Sequence, residues 1–155
     1  MHVRAWRVAY RGLLPDDLLD RLSVEDREES WRGILEDAGD ESFTLVAIDG
    51  ERQLVGFCAV AAPARDDDAG GQTAEVAATY VDPQRWRVGI GGDLLAAAVL
   101  RLREAGWRDV VLWVFGENAP ACAFYARFGF HPDGSGTRHE WAGGQTAIRL
   151  RVSLA

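Results

Sequence analysis

The chain has 155 residues, 48% hydrophobic and 26% charged, enough to bury one sizeable core without metal or disulfide support. A net charge of -7 disfavours non-specific nucleic-acid binding; no apolar run is long enough to cross a bilayer and the opening carries no apolar leader, so a cytoplasmic protein without a membrane partner is expected. Cys58 and Cys122 form no Cys-x-x-Cys pair, and His2, His131 and His139 have no metal-ligand spacing with them, so reduced core thiols and no metal site are expected.

In chain order, "HVRAWRVAY" alternates and predicts an opening strand, and "LPDDLLDRLSVEDREESWRGILED" has the caps and apolar spacing of one or two amphipathic helices. Two apolar runs meeting at Asp49-Gly50 predict a hairpin. "ARDDDAGGQ" is acidic and small and predicts an exposed, merely solvated connection. "AEVAATYV" predicts a strand; then Ile90, Leu94, Ala98 and Leu102 recur every four residues along a helix that ends near Gly106. "DVVLWVF" predicts a buried strand and "NAPACAFYARF" a short helix, with Asn118 as N-cap, Pro120 early and Gly129 at its stop. "TAIRLRVSL" predicts the last strand. No repeat or linker divides the chain, so residues 1–155 are expected to form a single domain.

The stretch "YVDPQRWRVGIGGDLL", beginning at Tyr80, joins a strand to a helix through a glycine-rich turn. Backbone N–H groups at such a helix start suit an anion. A P-loop would need a Lys and a Ser or Thr after the turn, and neither is present; a dinucleotide fingerprint would need a third glycine where Leu94 stands. A turn that only starts a helix stays open on these residues alone.

Two segments carry a specific resemblance. "VDPQRWRVGIGGDLL" resembles the strand end and Gln/Arg-x-x-Gly-x-Gly/Ala signature of the GNAT superfamily of N-acetyltransferases, and "ENAPACAFYARFGF" resembles that family's Asn-x-x-Ala-x-x-Phe-Tyr-x-x-x-Gly-Phe segment. The order of elements agrees over nearly the whole chain. One departure is that Trp86, flanked by Arg85 and Arg87, fills the signature's Gln/Arg place.

The resemblance implies an α/β (α+β) GNAT fold, a central mixed and mostly antiparallel sheet of six to seven strands flanked by about four helices, with a splayed strand pair. It implies acetyl-CoA as cosubstrate, with its pyrophosphate on the backbone of Arg87, Val88, Gly89, Ile90, Gly91 and Gly92. The pantetheine arm would lie along Thr79, Tyr80 and Val81, near Asn118 and Tyr125. It also implies that the Val81 N–H stabilises the oxyanion, that Tyr125 protonates the departing thiolate, and that Glu75 is the base. In relatives that acetylate ribosomal-protein N-termini the base glutamate stands where this chain has Trp113, which cannot accept a proton. Trp31, His139, Glu140 and Trp141 fall where acceptor pockets form in this family, and Trp31, His139 and Trp141 are the candidate acceptor contacts. The expected function is transfer of an acetyl group to a primary amine of a small molecule by direct attack in a ternary complex. Alternatives are a protein N-terminal or lysine acetyltransferase and a non-catalytic acyl-CoA-binding module. A homodimer is an open alternative to the monomer.

Overall fold

The computed structural model describes residues 1–154. Its helices are α1 (His2–Ala9), α2 (Asp16–Asp20), α3 (Val24–Glu36), α4 (Ile90–Glu104) and α5 (Ala119–Ala126), and its strands β1 (Phe43–Ile48), β2 (Leu54–Ala61), β3 (Thr73–Val81), β4 (Asp109–Phe115), β5 (His131–His139) and β6 (Gln145–Ser153). The strands form one sheet in the order β1-β2-β3-β4-β6-β5. Only β3 and β4 run parallel, because a parallel pair needs a long crossover and α4 supplies it. This is the expected mixed, mostly antiparallel architecture, with six strands and five helices among the described residues.

The apolar stripe of α4 explains its place. Leu94, Ala98 and Leu102 lie on one helical face with Leu95 beside them, and all four are buried against Cys58, Val60, Val76, Val110 and Leu112 of the sheet. Burying a leucine side chain of this kind contributes about 1.5–3 kcal/mol. The Asp49-Gly50 hairpin forms as expected, with Asp49 Oδ1 accepting from the N–H groups of Glu51 (2.9 Å) and Gln53 (3.0 Å).

Two expectations fail, and one strand goes unannounced. "HVRAWRVAY" is the helix α1, not a strand. The stretch His131–His139 is a strand that the sequence does not announce. The acidic connection is not merely solvated: it contains a short 3-10 turn (Asp67–Ala69), and Asp66 and Asp68 both bind Arg149 of β6. Arg149 is only 4% exposed, so the loop covers a charge that has to be paired once it is removed from water.

α1 lies against the sheet face opposite α4 through aromatic rings. His2 packs on Tyr80 (centroids 4.6 Å apart) and Phe57 (5.1 Å), and its Nδ1 accepts from Trp31 Nε1 at 3.0 Å. Burial, aided by the nearby Arg27, lowers the His2 pKa from 6.5 to about 4. The folded chain thus favours the neutral ring, and this contribution to stability is fully present above pH 6.5 and is lost as pH falls toward 4. A His2→Gln variant, which retains an acceptor for Trp31, is expected to lose less thermal stability over that window than the wild type. Parallel melting-temperature curves would remove His2 from the acid limb.

Candidate active site

The site begins where two strands part. β3 and β4 pair only at Thr73 with Asp109, Ala74 with Val110 and Glu75 with Val111. Opposite β2 the register of β3 then shifts, with Val76 facing Val60 and Ala78 facing Ala59, so that Ala77 is the extra residue of a bulge. A bulge bends its strand, and here β3 diverges from β4. The opened wedge is a cavity of about 1080 Å³, with Val76 to Val81 on one wall and Trp113 and Val114 on the other. The Asp82 N–H bonds to Val55 of β2 at 2.8 Å; by strand alternation Thr79 and Val81 turn their N–H and C=O groups away from β2, toward the gap. Trp86 Nε1 donates to the Val81 carbonyl at 2.8 Å. The residue that breaks the expected signature therefore ties the turn to the strand end and leaves the Val81 N–H free.

At one end of the wedge the chain passes through left-handed conformations at Arg87 (φ 64) and Gly89 (φ 97) before α4 starts. No side chain caps α4, and the first bond onto its N-cap runs from Asp93 N–H to Gly89 O at 3.0 Å. Among the described residues, no internal hydrogen bond occupies the N–H groups of Arg87, Val88, Gly89, Ile90, Gly91 or Gly92. A row of free donors at a helix start, with Arg85, Arg87 and Arg127 in the same cavity wall, is a phosphate cradle in its chemistry. The two signature glycines differ in purpose: Gly89 supplies the positive φ, whereas a Cβ at Gly91 would make only ordinary contact with Val81 (3.5 Å) and Phe124 (3.7 Å).

α5 supplies the other polar groups. Asn118 Oδ1 caps the helix by accepting from Ala121 N–H at 3.2 Å, and Asn118 and Tyr125 both line the cavity. Burial raises the Tyr125 pKa well beyond the ordinary 10, and the nearby Thr79 side chain offsets only part of that. The phenol therefore stays protonated and can act as a donor. On the opposite face of the sheet Tyr10, which caps the C-terminus of α1, enters the wall, its hydroxyl 3.1 Å from that of Tyr80.

Glu75 lies apart from the wedge. It is 2% exposed and outside the cavity walls. Arg65 grips both carboxylate oxygens through Nη2 and Nε (the latter at 2.9 Å), and its backbone N–H adds a bond at 3.2 Å. A carboxylate so occupied, and not open to the wedge, is not placed to take a proton from an acceptor. Trp31 is also outside the walls, packed on Phe57 at 4.9 Å. His139 and Trp141 bond to each other (3.2 Å) and flank Phe115 at 6.3 and 6.1 Å, while Phe115 contacts the wall residue Tyr10 at 5.9 Å. They stand beside the mouth rather than within it. Sequence reading passed over Tyr10, whose signal was its i, i+4, i+8 row with His2 and Trp6.

Comparison with known proteins agrees with this geometry. The model of the acetyltransferase (GNAT) family matches residues 6–130, well over half of the chain. The chain belongs to the GNAT acetyltransferase family. It is 29% identical over 128 residues to the uncharacterized N-acetyltransferase YuaI of Bacillus subtilis, covering 83% of this chain and 69% of that protein. It is 38% identical over 95 residues to mycothiol acetyltransferase of Actinosynnema mirum, covering 61% of this chain but only 30% of that protein. In structure it is similar to the PaiA N-acetyltransferase of Thermoplasma acidophilum, solved in complex with coenzyme A, with TM-score 0.70, 19% identity and coverage of 97% and 87% of the two chains.

This GNAT chain is thus an acyltransferase, and the family's acetyl donor is acetyl-CoA. The free N–H row and three arginines suit a pyrophosphate, and the strand edge at Thr79 and the Val81 N–H suit an amide-bearing arm. A non-glycine residue in the left-handed region costs about 1–2 kcal/mol, so in Gly89→Val the free turn is expected to relax out of the cradle conformation and acetyl-CoA binding to weaken about tenfold. Arg87→Ala, which leaves the backbone donors in place, should do less. Calorimetric titration that found Arg87→Ala the more damaging would make the turn a charge clamp instead.

Proposed function

We propose that the chain transfers the acetyl group of acetyl-CoA to a primary amine of a small molecule by direct attack in a ternary complex. The supporting observation is the wedge, which is lined on one side of the sheet by the glycine turn and α5 and on the other by α1, Tyr10 and Trp113, so that donor and acceptor can meet between the parted strands. Acetyl-CoA supplies the activated acyl group. The chain's own contributions would be the Val81 N–H, which can stabilise an oxyanion, and the protonated Tyr125 hydroxyl on the cavity wall, which can donate to the leaving sulfur.

Among the described residues no carboxylate lines the cavity, so the amine proton passes to solvent rather than to Glu75. An acceptor screen following thiol release from acetyl-CoA tests the function. With an accepted amine, kcat/KM should rise with pH up to the amine's own pKa. A rise that levels off in the carboxylate range, whatever the acceptor, would reinstate an enzyme carboxylate as base. Acetyl-CoA binding without turnover on any amine would favour a non-catalytic binding module.

A further inference from the structure

The acceptor half of the wedge differs chemically from the donor half. The charged side chains of the cavity wall are Arg85, Arg87 and Arg127, all on the glycine turn or just after α5. On the α1 side the wall includes Val8, Ala9, Tyr10, Ala77, Tyr80 and Trp113. Trp113 is the first large side chain of β4 past the point of divergence on the face away from α4, since its neighbours Leu112 and Val114 belong to the core on the other face.

The indole is held from two directions. Its Nε1 donates to Asp66 Oδ2 at 2.6 Å, and the Arg149 guanidinium lies 5.8 Å from the ring centroid. Arg149 is itself fixed, donating to Asp133 (2.7 Å), Asp68 (2.6 and 3.2 Å), Asp66 (3.3 Å) and Ser135 (2.8 Å). With its only donor used by Asp66, Trp113 presents no hydrogen-bonding group to the cavity, only ring surface. The Tyr10 hydroxyl shares one hydrogen bond with that of Tyr80, so the two together keep a single O–H to spare.

We propose that Trp113, locked in place by Asp66 and Arg149, is the specificity-determining wall of the acceptor site, and that the site selects amines whose nitrogen is carried on a flat, apolar body. The inference rests on the acetyl-transfer reading. An amino sugar would exchange its many hydrogen bonds to water for the few that this wall offers. A diamine would bring a second ammonium with no carboxylate in the wall to meet it. An aromatic amine loses neither, and its ring can stack edge-on or offset against the indole. Asp66 is a positioning residue here, acting through the indole.

The test follows thiol release from acetyl-CoA with 2-phenylethylamine, putrescine and glucosamine, for the wild type, Trp113→Ala and Asp66→Ala, with the melting shift produced by acetyl-CoA recorded for each. The wild type is expected to favour 2-phenylethylamine in kcat/KM by about tenfold or more, the discrimination that an apolar pocket contact gives. Trp113→Ala should erase that preference by raising the KM for 2-phenylethylamine about tenfold, with the KM for acetyl-CoA unchanged. Asp66→Ala retains the indole but frees it, and should raise the same KM by a smaller factor; it also serves if Trp113→Ala fails to fold. A preference for putrescine or glucosamine would overturn the proposal, as would an order of acceptors unaltered in both variants. So would a clear acetyl-CoA melting shift with no turnover of any of the three amines. If acetyl-CoA gives no melting shift in the wild type, the acetyl-transfer reading itself fails, and this inference with it.

Discussion

Tyr125→Phe is expected to lower kcat by about tenfold to a hundredfold while leaving acetyl-CoA affinity nearly unchanged. Phenylalanine keeps the ring that packs at 5.1 Å from Phe124 and 5.9 Å from Phe130, so α5 should hold its place. It removes the hydroxyl that Tyr125 brings to the cavity wall. A thiolate is a good leaving group, which places the effect toward the lower end of what a general acid contributes. Burial holds the phenol protonated past its ordinary pKa of 10, so the wild-type rate should show no loss from Tyr125 ionisation up to that pH. Calorimetry for acetyl-CoA and steady-state rates on one accepted amine decide the matter. Wild-type turnover by the phenylalanine variant would make Tyr125 a core aromatic and leave proton delivery to water.

The parts legible in the sequence are those whose causes are local. The four-residue recurrence of Leu94, Ala98 and Leu102, the Asn118 cap and the glycine turn each lie within one element, and the structure has them where they were expected. The parts misread are set by distant partners. α1 shows strand-like alternation at Val3 and Ala5, yet its row of His2, Trp6 and Tyr10 packs on Tyr80 and Phe115, from strands far along the chain. β5 contains Pro132, Gly134 and Gly136, poor strand formers, and exists because β6 pairs with it from His131 to His139 around a bulge. Glu75 stands at the family's base position, but Arg65, in the connecting segment just before it, takes up its carboxylate. The acidic segment looked solvated because its partner, Arg149, lies about eighty residues away.

That arginine carries the largest expected change in stability. Arg149→Met keeps an apolar stem of similar reach but leaves Asp133, Asp66 and Asp68 without their shared cation. Removing one partner of a buried pair costs about 3–5 kcal/mol, and the lower end applies because Asp68 stays in water; the melting temperature should fall by about 6–12 °C at pH 7. The pH dependence separates lost charge from lost packing. Burial tends to raise the Asp133 pKa, but the Ser135 N–H and Arg149 together bring it below the ordinary 3.8, and Arg149 lowers that of Asp68 as well. Carboxylates lowered in the folded state contribute stability that is present above their unfolded pKa and is lost as pH falls through the folded one. In the methionine variant the arginine's share of that contribution is gone, so acid has less to remove. The gap in melting temperature between wild type and Arg149→Met should therefore be widest near pH 7 and narrow as pH falls below about 4, where the carboxylates begin to protonate. A gap that stays constant between pH 7 and pH 3 would mean that Arg149 holds the loop by packing alone, with its charge already balanced by solvent.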